Sequence, residues 1–177
     1  YDPSNYGAAP ATARIPPRSA PIAAGSPAFA FLDLPLLTGE EPATAGYVAA
    51  TQTPWPGGVA IYASPETTGF ALRSVVPGPC VMGHTLTPLM PGPVGRIDRA
   101  AALRVDLGSG MLVSESLVQV LSGRNVGALQ AVDGEWEIVQ FLTAELVGSG
   151  IYDLRGLLRG QAGSEHAMRS PLPAGSP

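Results

Sequence analysis

The sequence predicts a mainly β chain: an antiparallel β-sandwich or barrel-like domain, an extended proline-rich N-terminal arm and at most one short helix. Three observations predict it. Six short β-type runs recur at roughly ten-residue spacing between Gly and Pro breaks, the pattern of sandwiches and barrels. The 177 residues include 22 Gly and 19 Pro, which favours loops and extended chain over long helices. Asp133-Gly134 and Gly148-Ser149-Gly150 punctuate the final apolar runs as hairpin turns.

Residues 1–27 carry six prolines among Ala, Ser and Gly, which removes backbone donors and favours polyproline-like extension. They read as a linker or as an arm lying along a neighbour. From Ala28 to Leu37, Ala30, Leu32, Leu34 and Leu36 share the parity of a buried strand face, and Pro35 marks its edge or end. Residues 45–53 form a small-residue strand, and Trp55-Pro-Gly-Gly58 a turn in which Gly57 or Gly58 supplies a positive φ. Val59–Ser64 and Gly69–Val76 are strands of one hairpin around Pro65–Thr68. Val81–Met90 is an apolar run, and Arg99–Leu107 a strand with Leu103, Val105 and Leu107 on its inner side.

Ser116 and Gln119 have capping-box spacing and Gly123 a stop, so the one short helix is expected over 116–121. Asn125–Gln130 begins the last sheet portion, Asp133-Gly134 reads as a two-residue turn, and Glu135–Phe141 returns as a strand. Trp136, Ile138 and Gln140 share one face and Glu137, Val139 and Phe141 the other, so both sides are expected to be covered. The next β run passes the Gly148-Ser-Gly150 turn and is expected to empty into an arginine-bearing loop with glycines at 156, 160 and 163. Residues 28–168 thus form the β domain, with a sub-boundary near 108–115, and 169–177 an extended linker to a further segment. The chain reads as a piece of a longer polypeptide.

Charge narrows the function. All ten cations are Arg, a codon-usage signature, and the formal net charge of −4 offers no basic footprint for nucleic acid. The lone Cys80 excludes an internal disulfide, and no apolar run reaches the roughly 20 residues needed to span a bilayer. Gly108-Ser-Gly-Met-Leu-Val113 lacks the third small residue and the helix of a dinucleotide fingerprint, and Gly148-Ser-Gly150 is too short for a nucleophile elbow. His84 and His166 share no ligand spacing with Cys80 or the carboxylates, so no metal is expected. Cys80 reads as a small hydrophobe, and Glu40-Glu41, Asp98 and Asp106 as solvated surface. No catalytic residue and no cofactor are expected, although His166 beside Glu165 sketches a hydrolase pair.

Arg155 and Arg159 stand out, since a guanidinium can clamp a carboxylate or carbonyls bidentately. One reading is an internal staple from Arg159 to Glu165 or Glu145; the other is an inter-subunit contact.

Four stretches carry a resemblance: Trp55-Pro-Gly-Gly-Val-Ala-Ile-Tyr62, Leu121-Ser-Gly-Arg-Asn-Val-Gly127, Glu135–Phe141 with Ala144-Glu-Leu146, and Tyr152-Asp-Leu-Arg-Gly-Leu-Leu-Arg-Gly-Gln-Ala-Gly-Ser-Glu165. Together they resemble the C-terminal region of the host-specificity, or "megatron", baseplate and tail-tip proteins of gene transfer agents and siphophages. The family often has a second basic residue where this chain has Ala162, and Thr where it has Ser164. The resemblance implies a structural subunit of a particle's tail, assembled in the bacterial cytoplasm; with no catalytic constellation among these residues, the chain is not expected to be an enzyme. Implied partners are other copies of itself in a trimer, the tail hub, the distal tail and other baseplate proteins, and a cell-envelope glycan or receptor. It also makes Arg155, Arg159, Gly160, Gly163, Glu165 and Trp136 a structural or inter-subunit motif. A carbohydrate-binding β-sandwich module stacking sugars on Trp55, Tyr62 and Trp136 is the alternative.

Overall fold

The computed structural model describes residues 25–42, 44, 46–168 and 171–177. Most of the expected N-terminal arm, residues 1–24, therefore lies outside the described residues. The chain is mainly β, 46% strand and 6% helix, and its sheets are antiparallel and curl into a half-barrel.

Two ribbons come first. Strands β1 (Ala28–Leu32) and β2 (Tyr47–Thr51) pair with each other, as do β3 (Val59–Ala63) and β4 (Ala71–Val76). The expected parity holds within β1, with Ala30 and Leu32 half-buried and Phe29 and Phe31 exposed, but the strand ends at Leu32 instead of near Leu37, and Leu36, expected on the buried face, is exposed. The rest is one five-stranded sheet in the order β5 (Met82–Thr85), β6 (Asp98–Ser109), β9 (Ile151–Gln161), β8 (Trp136–Gly148), β7 (Val126–Gln130). It draws strands from both sides of 108–115. Leu103, Val105, Val139, Phe141, Leu154 and Leu157 fill its core.

Helix α1 (Leu117–Leu121) forms where the sequence places it, because Ser116 and Gln119 cap each other reciprocally and so satisfy two orphan N–H groups. Residues 136–141 of β8 are all buried, as the mixed faces of that run imply.

Three further expectations need correction. The Asp133-Gly134 turn is a three-residue loop: Ala131 N–H donates to Glu135 C=O and Gly134 N–H to Ala131 C=O, with Gly134 at φ 90°. A turn of this form leaves only Gly134 needing positive φ, so Asp133 avoids it. The glycine-rich stretch after Leu154 is strand rather than loop, because β9 runs to Gln161 and takes Gly156 and Gly160 at φ 66° and 58°, the first beside a shift in its register with β6 and the second beside one in its register with β8. Finally, the described part of the 169–177 linker, residues 171–177, is packed. Leu172 is buried in the core, and the N–H groups that the prolines leave available bond inward, Leu172 to Leu89 C=O and Gly175 to Thr85 C=O. Composition alone reads this tract as linker; one leucine and main-chain pairing overrule it.

Candidate functional site

Along β9, Tyr152 and Leu154 face the core on even numbers and Leu157 on an odd one, so the face changes at Gly156. The β6–β9 register shifts across Gly156, between the Asp98–Leu157 and Ala102–Arg155 pairs, and the β8–β9 register shifts between Ile138 and Gln140, opposite Leu158–Gln161. Together they turn Arg159 inward, where it is fully buried. Its Nη2 donates to Glu137 Oε2 at 2.7 Å, its Nε to Glu137 Oε1, and its Nη1 to the Met90 carbonyl at 2.8 Å. Gly160 N–H adds a further bond to Glu137 Oε1 at 3.2 Å. Both charges are thus paired and hydrogen-bonded, the condition for keeping them inside a protein. The staple joins β8, β9 and the segment after Met90, which also bridges β9 through Val94 and Arg159.

The internal staple expected of Arg159 is present, but its partner is Glu137, not Glu145 or Glu165. The sequence carried a signal for this: Glu137 shares its strand parity with Val139 and Phe141, and a carboxylate on a covered face requires a buried cation. Arg155 is exposed on β9, Gly163 turns the chain at φ 82° into the 3-10 segment Ser164–Ala167, and Glu165 is exposed on that segment. Trp136 is buried, which removes it as a sugar-stacking platform. The motif residues therefore divide, with Arg159, Gly160 and Trp136 inside and Arg155, Gly163 and Glu165 at the surface.

Ser164 carries a role the sequence reading missed. Fully buried, its Oγ accepts the Ile138 N–H at 2.8 Å and donates to Gln161 C=O at 2.7 Å, pinning the 3-10 segment to β8 next to the Glu137–Arg159 pair. His166 faces Glu135, at 3.6 Å, and not Glu165. His84 is exposed on β5, and Cys80 is partly buried. Asp98, expected as solvated surface, accepts from the N–H groups of Ala100 and Ala101 and so closes a bulge in β6. Among the described residues no group of three or more His, Cys, Asp and Glu is placed to hold a metal ion, and no helix is long and apolar enough to cross a membrane.

The concave face keeps an apolar cleft of about 320 Å³, walled by side chains of β5 to β9 and roofed by Ala30, Leu32 and Ala49 of the first ribbon. Fold and site together define a half-barrel β-protein closed around a buried carboxylate–guanidinium pair. The chain belongs to the family described as Rcc01698-like, C-terminal, which matches residues 80–177. The match spans the five-stranded sheet and the packed tail and leaves both ribbons outside it. No curated protein matches the chain.

Proposed function

We propose that this chain is a structural subunit of a phage-like tail tip or baseplate, a trimer on the tail hub that takes part in host-cell attachment, envelope penetration and DNA delivery. The resemblance, over roughly residues 28–168, to gene transfer agent and siphophage tail-tip proteins supports this reading. The single observation that carries it is the β3–β4 ribbon. Tyr62, Phe70, Leu72 and Val75 are all more than half exposed there, and only Val76 of its strand residues is buried. A two-stranded ribbon is marginally stable in water by itself, and a cluster of exposed aromatic and aliphatic side chains marks a surface that another protein covers. Obligate assemblies have interfaces of this apolar kind. The sparse charge of the chain, 14% against about 25% in ordinary soluble domains, fits the same arrangement.

The test is to replace Phe70 and Leu72 by Ser within the particle. The isolated chain should keep its stability, while assembled tails and DNA delivery fall sharply. Particles that assemble and deliver DNA at the unmodified rate would refute the proposal.

A further inference from the structure

The first ribbon is fastened to the half-barrel at one end. Ala50 C=O accepts the Cys80 N–H at 2.9 Å, and the Thr51 and Ser109 hydroxyls share a hydrogen bond of 2.6 Å. Among the described residues no other hydrogen bond joins β1 or β2 to residues 80–177. Both bonds fall on the last two residues of β2, and these are the only buried ones in the ribbon. The chain leaves for β3 from the same end. At the far end, where Leu32 pairs with Tyr47, no such bond is present among the described residues.

The inner face adds little grip. Ala30 and Leu32 of β1 and Ala49 of β2 roof the apolar cleft, and all three stay half-buried. About 320 Å³ of space lies between roof and floor, so the facing atoms forfeit much of the dispersion contact that a packed layer would give. A layer built to seal a core would carry large side chains, yet two of these three roof residues are alanines. Along β1 the outer face carries Phe29 and Phe31, both exposed, so no further layer presses the ribbon down there. The floor differs: Leu103, Val139, Phe141 and Leu154 are buried in a sheet whose strands support one another. A two-stranded ribbon has little stability of its own, so this one depends on a closure that is weakly held.

We propose that β1 and β2 form a lid that pivots about Ala50 and Thr51. Closed in this structure, it lifts from the cleft while the half-barrel stays folded, an opening below the free energy of global unfolding. Lifting uncovers a trough with no Asp, Glu, Lys or Arg in its lining, so the lid gates an uncharged apolar space. The inference stands on the contacts of the first ribbon and not on the tail-tip reading.

Amide hydrogen exchange of the full chain tests it. Because Ala50 turns its carbonyl to Cys80, the two-residue alternation leaves Ala30 and Ala49 to exchange both main-chain bonds with each other. Their amides should be protected, yet exchange about a hundredfold or more sooner than the slowest amides of β8. A thiol on the cleft floor reports the uncovering. With Cys80→Ala and Val139→Cys, the opening equilibrium read from labelling by a maleimide dye should match that of Ala49 and not that of β8. Leu32→Ala strips the roof and should speed both ribbon exchange and labelling about tenfold, and Ala30→Leu, which fills space over the cleft, should slow both. Ser164→Ala loosens the half-barrel and not the ribbon, so it should speed the β8 amides and leave Ala49 and the labelling unchanged. If Val139→Cys does not fold, the amides of the unmodified chain and of Ser164→Ala decide alone. Ribbon amides that open only as often as β8, and move with it in Ser164→Ala, would overturn the proposal. So would ribbon amides without any protection, or labelling that does not respond to Leu32→Ala.

Discussion

The β8–β9 hairpin and the β3–β4 ribbon are both antiparallel pairs built from apolar runs around short turns, yet they end in opposite situations. Most of β8 and β9 near Trp136–Phe141 and Leu157–Gly160 is buried, whereas β3 and β4 expose most of their side chains. The difference lies in what each can lean on. β8 and β9 have a sheet neighbour on either side and a buried ion pair that ties them to the Met90 segment. β3 and β4 have only each other in their sheet. Apolar pattern is therefore not sufficient for a core; it becomes core where further strands supply a second layer, and otherwise remains a surface available to a partner.

The comparison breaks most sharply at the staple. Arg159→Ala strands Glu137 as an unpaired buried charge and should cost about 3–5 kcal/mol in urea unfolding. Replacing Glu137 and Arg159 together by Leu and Met should recover most of that loss. A single variant within experimental error of the parent would show that the pair does not hold the half-barrel.

Gly160→Ala comes next. A Cβ there would sit 3.0 Å from the Glu165 Cα on a backbone at φ +58°, so a loss of about 1–3 kcal/mol is expected from the strained conformation. Ser164→Ala leaves the buried Ile138 N–H without its acceptor and should cost about 1–2 kcal/mol, with Ser164→Thr as the control that keeps the hydroxyl.

In the ribbon, Phe70→Ser should change the stability of the isolated chain by no more than about 0.5 kcal/mol. A larger loss would mean that the ribbon is core after all.

The smallest effects are electrostatic and lie on the acid side. Arg104 hydrogen-bonds and attracts the Asp153 carboxylate across β6 and β9, holding it below the ordinary aspartate range despite an opposing desolvation effect. Glu41 sits at about 2: desolvation raises it, but hydrogen bonds from its own backbone, Thr38 and Tyr47 together outweigh that. Both folded-state values lie below the unfolded ones. Their stabilisation is therefore fully present above the ordinary carboxylate range and is lost as pH falls through the lowered values. A carboxyl-carbon NMR titration should place the Glu41 midpoint near 2; a midpoint at 4.5 would remove this contribution.

The strands were largely legible because period-two alternation, Gly-Pro breaks and the Ser116–Gln119 box are local signals. The site was less so. Arg159 could be singled out as a staple, but its partner depends on the β8–β9 register, and that register shifts in the stretch around Gly160, which looks like a loop glycine in sequence. Glu137 was visible as a carboxylate on an apolar face, and pairing it with the nearest arginine on the covered strand would have found it. Ser164 was inaccessible, since its role arises only once the 3-10 segment folds back on Ile138. The tail misled for a related reason: proline and glycine suit linkers, but they equally suit an extended strand whose bonds fall on the few residues between.

The central claim is that the half-barrel stands on its own packing while the β3–β4 ribbon does not. Amide hydrogen exchange of the isolated chain tests it most directly. The account predicts that Ile138–Phe141 and Leu157–Arg159 exchange last, near the global unfolding limit, and that Ile61–Ala63 and Leu72–Val75 exchange orders of magnitude sooner. Equal protection of the two regions in the isolated chain would contradict it.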